Sequence, residues 1–94
     1  MEAKYYVYII ESLIDGDYYK GITNDYKRRL EEHNAGKSEF SSTKIPWRLV
    51  FVQIHATKKE ALIHEKKLKR CTKNYLRWLI AQPINILNNG GWDT

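Results

Sequence analysis

The spacing of apolar and polar residues changes several times along the chain, and each change marks an element. KYYVYIIE (4–11) is rich in Tyr, Val and Ile, which suit a pleated, half-buried surface, so it predicts a strand. IDGD then supplies Asp15-Gly16, a pair favoured in two-residue hairpin turns, and DYYKGIT (17–23) predicts the returning strand. Asn24 or Asp25 can cap a helix that runs to about Asn34 and stops near Gly36. Residues 36–46 read as a polar loop, and WRLVFVQIH (47–55) as a third strand entered through Pro46. Thr57 with Glu60 forms a capping-box signature that opens a helix over about 58–70. KNYLRWLIA (73–81) predicts another short helix, closed by Pro83. The order is β-β-α-β-α-α. That places the chain in the α+β class, with a small three-stranded antiparallel sheet flanked by helices. One domain is expected over residues 1–94, with its core at about 4–81 and a tail at 82–94.

A two-residue Asp15-Gly16 turn sets a register. Tyr8 would then face Thr23, Ile10 would face Gly21, and Ser12 would face Tyr19. Side chains alternate along a strand, so Tyr8, Ile10, Tyr19 and Gly21 share one face. A two-residue slip in the loop keeps this parity. Two phenols therefore stand on one side of the sheet beside a glycine. Tyr5, Tyr6 and Tyr18 read as packing residues.

The helices add polar groups. In the first, His33 lies one turn beyond Arg29 on the same face, while Tyr26 and Leu30 form the docking side. Arg28 is as available as Arg29 from spacing alone. In the second, Ala61, Leu62 and Leu68 fall on the same side of the helical wheel as Glu65. A carboxylate in an apolar stripe needs a partner. It is either salt-bridged, to Arg29 or a lysine, or a ligand for one hard divalent cation such as Mg²⁺. His55 and His64 read as surface or internally satisfied histidines. No His/Cys cluster has zinc spacing.

Charge narrows the partner. The chain carries a net +5, and residues 58–77 hold eight Lys or Arg against only Glu60 and Glu65. A basic segment on a near-neutral body points to a polyanion, because phosphate neutralisation supplies most sequence-independent nucleic-acid binding. Composition, at 43% hydrophobic and 29% charged residues, excludes a disordered or collagen-like chain. Cys71 is the single cysteine, so an internal disulfide is excluded and a reducing compartment fits. The N-terminus lacks a signal-peptide layout, and no apolar run reaches the roughly 18 residues of a membrane span. A cytoplasmic location without membrane contact is expected.

Taken in order, YVY (6–8), YKG (19–21), KRRLEEHN (27–34) and EALIHEKKLK (60–69) resemble the GIY-YIG nuclease domain, and most of all the small stand-alone bacterial proteins of that superfamily. The resemblance covers about residues 4–80. It implies that Tyr8 and Tyr19 are the two motif tyrosines and Gly21 the motif glycine. It places the helix arginine on Arg29, a histidine of some branches on His33 and the metal-binding glutamate on Glu65. Tyr6 stands where the family name has Gly, and Lys20 where it has Ile. For the late asparagine of many members, Asn85, Asn88 and Asn89 are candidates, and Asn85 is taken.

The resemblance implies a metal-dependent DNA endonuclease using one Mg²⁺ or Mn²⁺ ion. Glu65 would hold the ion, Arg29 would neutralise the phosphate, and Tyr8 or Tyr19 would activate or position water, with His33 as a relay. Lys66, Lys67, Lys69, Arg70, Lys73 and Arg77 would hold the nucleic-acid backbone. With no separate recognition module, selection by substrate structure is expected over selection by sequence. Two rivals are a nucleic-acid-binding module without turnover and a protein-interaction module using Trp47, Trp78 or Trp92.

Overall fold

The computed structural model describes residues 4–89. The strands are β1 (Tyr5–Ser12), β2 (Tyr18–Thr23) and β3 (Trp47–His55). The helices are α1 (Tyr26–Asn34), α2 (Lys58–Lys69) and α3 (Lys73–Ile80), so the α+β order β-β-α-β-α-α is the observed one. The sheet is antiparallel, with β1 between β2 and β3. Among the described residues no helix is long and apolar enough to cross a membrane.

Local chemistry accounts for the helix starts. Asp25, rather than Asn24, caps α1, its Oδ1 accepting from Arg28 N at 3.0 Å. The Thr57 hydroxyl accepts from Glu60 N at the start of α2, and Thr72 does the same for Tyr75 N at the start of α3. Each bond satisfies a donor that has no partner within its helix.

The hairpin differs from the expected one. Tyr8 faces Gly21 and Ile10 faces Tyr19, two residues out of the predicted register. A two-residue turn of the Asp-Gly type needs positive φ at both central positions, and here only Gly16 has it (φ +77°). The loop therefore has four residues, Leu13 to Gly16. Ser12 N donates to Asp17 O at 2.9 Å, and Asp17 N turns to Asp15 Oδ1 at 3.0 Å. Lys44 Nζ lies 2.6 Å from a carboxylate oxygen of Asp15 and of Asp17. The slip is an even number, so the shared face of Tyr8, Ile10, Tyr19 and Gly21 survives.

The two faces of the sheet bury different material. Val7, Ile9 and Phe51 pack under Ala61 and Leu68 of α2 and Leu76 and Leu79 of α3. Tyr8, Ile10, Trp47 and Val52 pack on the other face with Tyr26 and Leu30 of α1 and with Ile86 and Leu87. Asn85, Ile86 and Leu87 thus pack on the sheet, in a stretch expected as a tail. Asn85 closes the β3 edge: its Oδ1 accepts from Val52 N (3.1 Å) and its Nδ2 donates to Val50 O (2.8 Å). Val50 is the extra residue of a bulge, since Ile9 faces Phe51 while Ile10 faces Leu49.

Candidate active site

Tyr8 is the centre of the site because of what lies opposite it. Gly21 has no side chain, so the Tyr8 ring lies across β2. A Cβ built on Gly21 would sit 2.5 Å from the Tyr8 hydroxyl oxygen and 2.7 Å from Cζ. Only glycine permits that approach. The phenol reaches past β2 into a hollow of about 390 Å³ whose walls include Tyr8, Tyr19, Gly21, Arg29 and Glu65. Asn24, Lys58 and Leu62 also line it. Five residues chosen from four separate stretches of sequence therefore meet at one place.

Behind the phenol stands His33, which is fully buried. Its Nε2 lies 2.9 Å from the Tyr8 hydroxyl and its Nδ1 lies 2.6 Å from Ser41 Oγ. Burial, helped by the nearby Arg29 charge, pushes the His33 pKa down to about 4. The ring is therefore neutral at ordinary pH, with one nitrogen donating and the other accepting. Burial likewise pushes the Tyr8 phenol up to about 12, against the pull of the Arg29 guanidinium, which hydrogen-bonds it. Tyr8 is thus a neutral phenol in this state. His33 does not line the hollow and is hydrogen-bonded to it through Tyr8.

Arg29 is partly exposed and its Nη1 donates to Glu32 Oε1 at 2.9 Å. Of the two partners expected for Glu65, Arg29 pairs with Glu32 and the lysine, Lys69, pairs with Glu65. Glu65 has a side chain only 17% exposed, with Lys69 Nζ at 3.6 Å. Its place on the helix is less apolar than the wheel implied. Ala61 and Leu68 are buried, but Leu62 is 39% exposed at the hollow's rim. Tyr19 stands among rings: His33 at 4.9 Å, Phe40 at 5.7 Å and Trp47 at 6.3 Å between centroids.

Other expected site residues lie elsewhere. Asn85 is fully buried, and its amide is taken up by Val50, Val52, Ile80 and Leu87 backbone groups. It braces an edge strand and does not wall the hollow. The basic residues Lys66, Lys67, Lys69, Arg70, Lys73 and Arg77 are all exposed. Lys69 lies beside Tyr19, Lys73 beside Tyr18 and Lys20, and Lys67 beside His64 on another side. His55 Nε2 and His64 Nδ1 bond each other at 2.9 Å, the internal satisfaction expected of them. Trp47, expected as an exposed partner surface, is 3% exposed because its ring closes the core and its Nε1 donates to Ser41 O. Trp78 is 56% exposed, and Trp92 lies outside the described residues.

Ser41 is the site residue the sequence did not disclose. It sits in a stretch that reads as polar loop, and only its folded position beside His33 gives it a role. Lys58 went unassigned to the site for a similar reason: it looks like one more lysine of a basic helix.

Known proteins share this sequence pattern and this fold. The family model described as the GIY-YIG catalytic domain matches residues 4–77. A UPF0213 protein of Streptococcus pneumoniae is 42% identical over 71 residues, covering 74% of this chain and 71% of its own. A UPF0213 protein of Lacticaseibacillus paracasei is 36% identical over 75 residues, covering 79% and 84%. The solution NMR structure of a UPF0213 protein from Bacillus halodurans superposes with a TM-score of 0.58 at 30% identity, covering 94% of both chains.

Proposed function

Because this chain belongs to the GIY-YIG catalytic domain family, a superfamily of nucleases, we propose that it is a metal-dependent endonuclease hydrolysing phosphodiester bonds of DNA. Substrate structure, rather than sequence, would guide it. The observation that carries the reading is the convergence of Tyr8, Tyr19, Arg29 and Glu65 on one hollow.

The donor set suits a hard divalent ion that keeps most of its waters. Glu65 offers one carboxylate, and among the described residues no group of three or more His, Cys, Asp or Glu could form a full protein cage. Mg²⁺ is commonly held by one or two carboxylates plus substrate phosphate. When bound, Mg²⁺ or Mn²⁺ supplies Lewis-acid neutralisation of phosphate and leaving-group oxygens. Glu65 is the residue that would hold it.

The chain's own groups divide the remaining work. The Arg29 guanidinium faces the hollow and neutralises charge that builds on the phosphate. Tyr8 orients the attacking water. With Nδ1–H donated to Ser41, His33 Nε2 accepts the Tyr8 O–H, which leaves the phenol oxygen free to accept from Arg29 and from a water in the hollow. A base with a pKa near 4 is poorly matched to removing a proton at neutral pH, so His33 acts as a positioning residue. Tyr19 walls the same hollow. The bond from the water oxygen to phosphorus forms as the P–O3′ bond breaks; the water gives up a proton to solvent, and the 3′ oxygen takes one up to leave as a hydroxyl.

Nicking of supercoiled plasmid in Mg²⁺ or Mn²⁺ tests this. Nicking that stops in EDTA and in Glu65→Ala supports the reading. Equal nicking by Glu65→Ala removes Glu65 from the site. Salt-sensitive DNA binding without nicking in either metal leaves a binding module in place of an enzyme.

A further inference from the structure

One exposed ring has no part in the site described above. Phe40 is 76% exposed, yet its stem is fixed. Ser41 next to it is fully buried against His33, and the Ser42 hydroxyl donates to Glu39 O at 3.0 Å. Phe40 is therefore a large apolar face held out into water on a pinned backbone. Single exposed hydrophobic residues are ordinary. Its neighbours are not.

The Phe40 ring lies 5.7 Å from the Tyr19 ring, tilted by 45°. Together with Tyr18, Lys20 and Lys69 they line a groove of about 440 Å³. Tyr19 also walls the hollow, so the two depressions share a side chain. Lys69 joins them a second time, with its Nζ 3.6 Å from Glu65. The groove thus has three aromatic side chains and two ammonium groups, and it opens beside the place where a phosphate would be cut.

We propose that Phe40 and Tyr19 form a stacking subsite for one unpaired nucleobase, with Lys20 and Lys69 holding the phosphates that flank it. The inference rests on the nucleic-acid reading of the hollow and deepens it. Stacking on an aromatic face is open to any base, and cations along the backbone complete such platforms. A base inside a duplex cannot lie on Phe40 without leaving its stack, so the subsite selects strands in which a nucleotide is already unpaired. Charge complementarity decides between occupants: two lysines suit a phosphate chain better than an apolar peptide.

Binding without metal isolates this claim from cleavage. Fluorescence anisotropy in EDTA would compare three labelled probes: an oligothymidine octamer, an octamer of abasic residues of equal charge, and an eight-base-pair duplex. Wild type is expected to prefer the octamer with bases over the abasic one by about 5- to 150-fold, the range for one stacked base. Phe40→Ala removes that preference and leaves the abasic affinity unchanged, while Phe40→Trp restores it. Equal affinity for the two octamers, or a preference that survives in Phe40→Ala, overturns the proposal. A preference that is present in a protein that never nicks keeps the subsite and removes the nuclease. No affinity for any probe at low salt removes both, and leaves the groove to a protein partner.

Discussion

The two faces of the sheet are built by alternate residues of the same strand and do opposite things. On β1, Val7 and Ile9 enter a face of hydrocarbon, with Phe51, Ala61, Leu68, Leu76 and Leu79 around them. Tyr8 enters a face where buried polar atoms meet in a chain, from Ser41 through His33 to its own hydroxyl. Val7, Ile9 and Phe51 bring no polar group to the hydrocarbon face, and Glu65 reaches the hollow from α2, whose Ala61 and Leu68 pack there. The mixed face bears the cost of burying an imidazole and a phenol, and each of those groups is partnered. One face therefore holds the sheet to its helices, while the other aims a phenol across Gly21.

The largest effect should separate the faces by activity. Glu65→Gln keeps shape and removes the carboxylate, and Tyr8→Phe removes the hydroxyl. Each should slow nicking by roughly 10²–10⁴-fold. Circular dichroism melting should show Glu65→Gln folded as wild type. Gly21→Ala should join this group, since the new Cβ displaces the Tyr8 ring.

Next comes the reverse experiment. Phe51→Ala empties the hydrocarbon face and should cost about 3–5 kcal/mol in urea unfolding. Nicking per folded molecule should stay at the wild-type rate. A variant as crippled in nicking as Glu65→Gln while still folded would erase the distinction between the faces.

Titration gives a smaller effect with a definite sign. His33 on the mixed face and His64, which packs against Phe51, are both pushed down to about 4 by burial. Unfolded histidine titrates near pH 6.5, so as pH falls the unfolded chain takes up protons first. The contribution is complete above about pH 6.5 and is lost as pH falls to about 4. Solvent screening holds the loss below the full linkage value, at about 1–2 kcal/mol for each histidine. Urea midpoints measured across that window should fall with pH, and His33→Asn should flatten about half of the slope. The smallest effect is local: Thr72→Ala removes the α3 cap and should cost about 1 kcal/mol, with no change in nicking.

What the sequence disclosed follows the same division. Element order and the common face of Tyr8 and Tyr19 were legible because strand parity survives an even slip. The pairing of Tyr8 with Gly21 was not, because it depended on whether the loop had two residues or four. Dihedral angles at Asp15, not its identity, decided that. The Arg29, His33 and Glu65 positions were legible through motif order, yet their depth was not. Spacing put Arg29 and His33 on one helix face and could not say that one opens to the hollow while the other is sealed behind Tyr8. Asn85 and Ser41 show the limit most clearly. A polar side chain in a stretch without periodicity gives no sign of whether it braces a strand edge, orients a histidine or faces water.

The central claim is spatial: the carboxylate, guanidinium and phenol act on one phosphodiester from a single hollow at the β2 edge. Paramagnetic broadening by Mn²⁺ tests it directly, read on amide resonances of the protein with a short oligonucleotide bound. The account predicts broadening centred on Gly21, Arg29 and Glu65, and its loss in Glu65→Gln. Broadening centred on His55 and His64, or unchanged by Glu65→Gln, would contradict it.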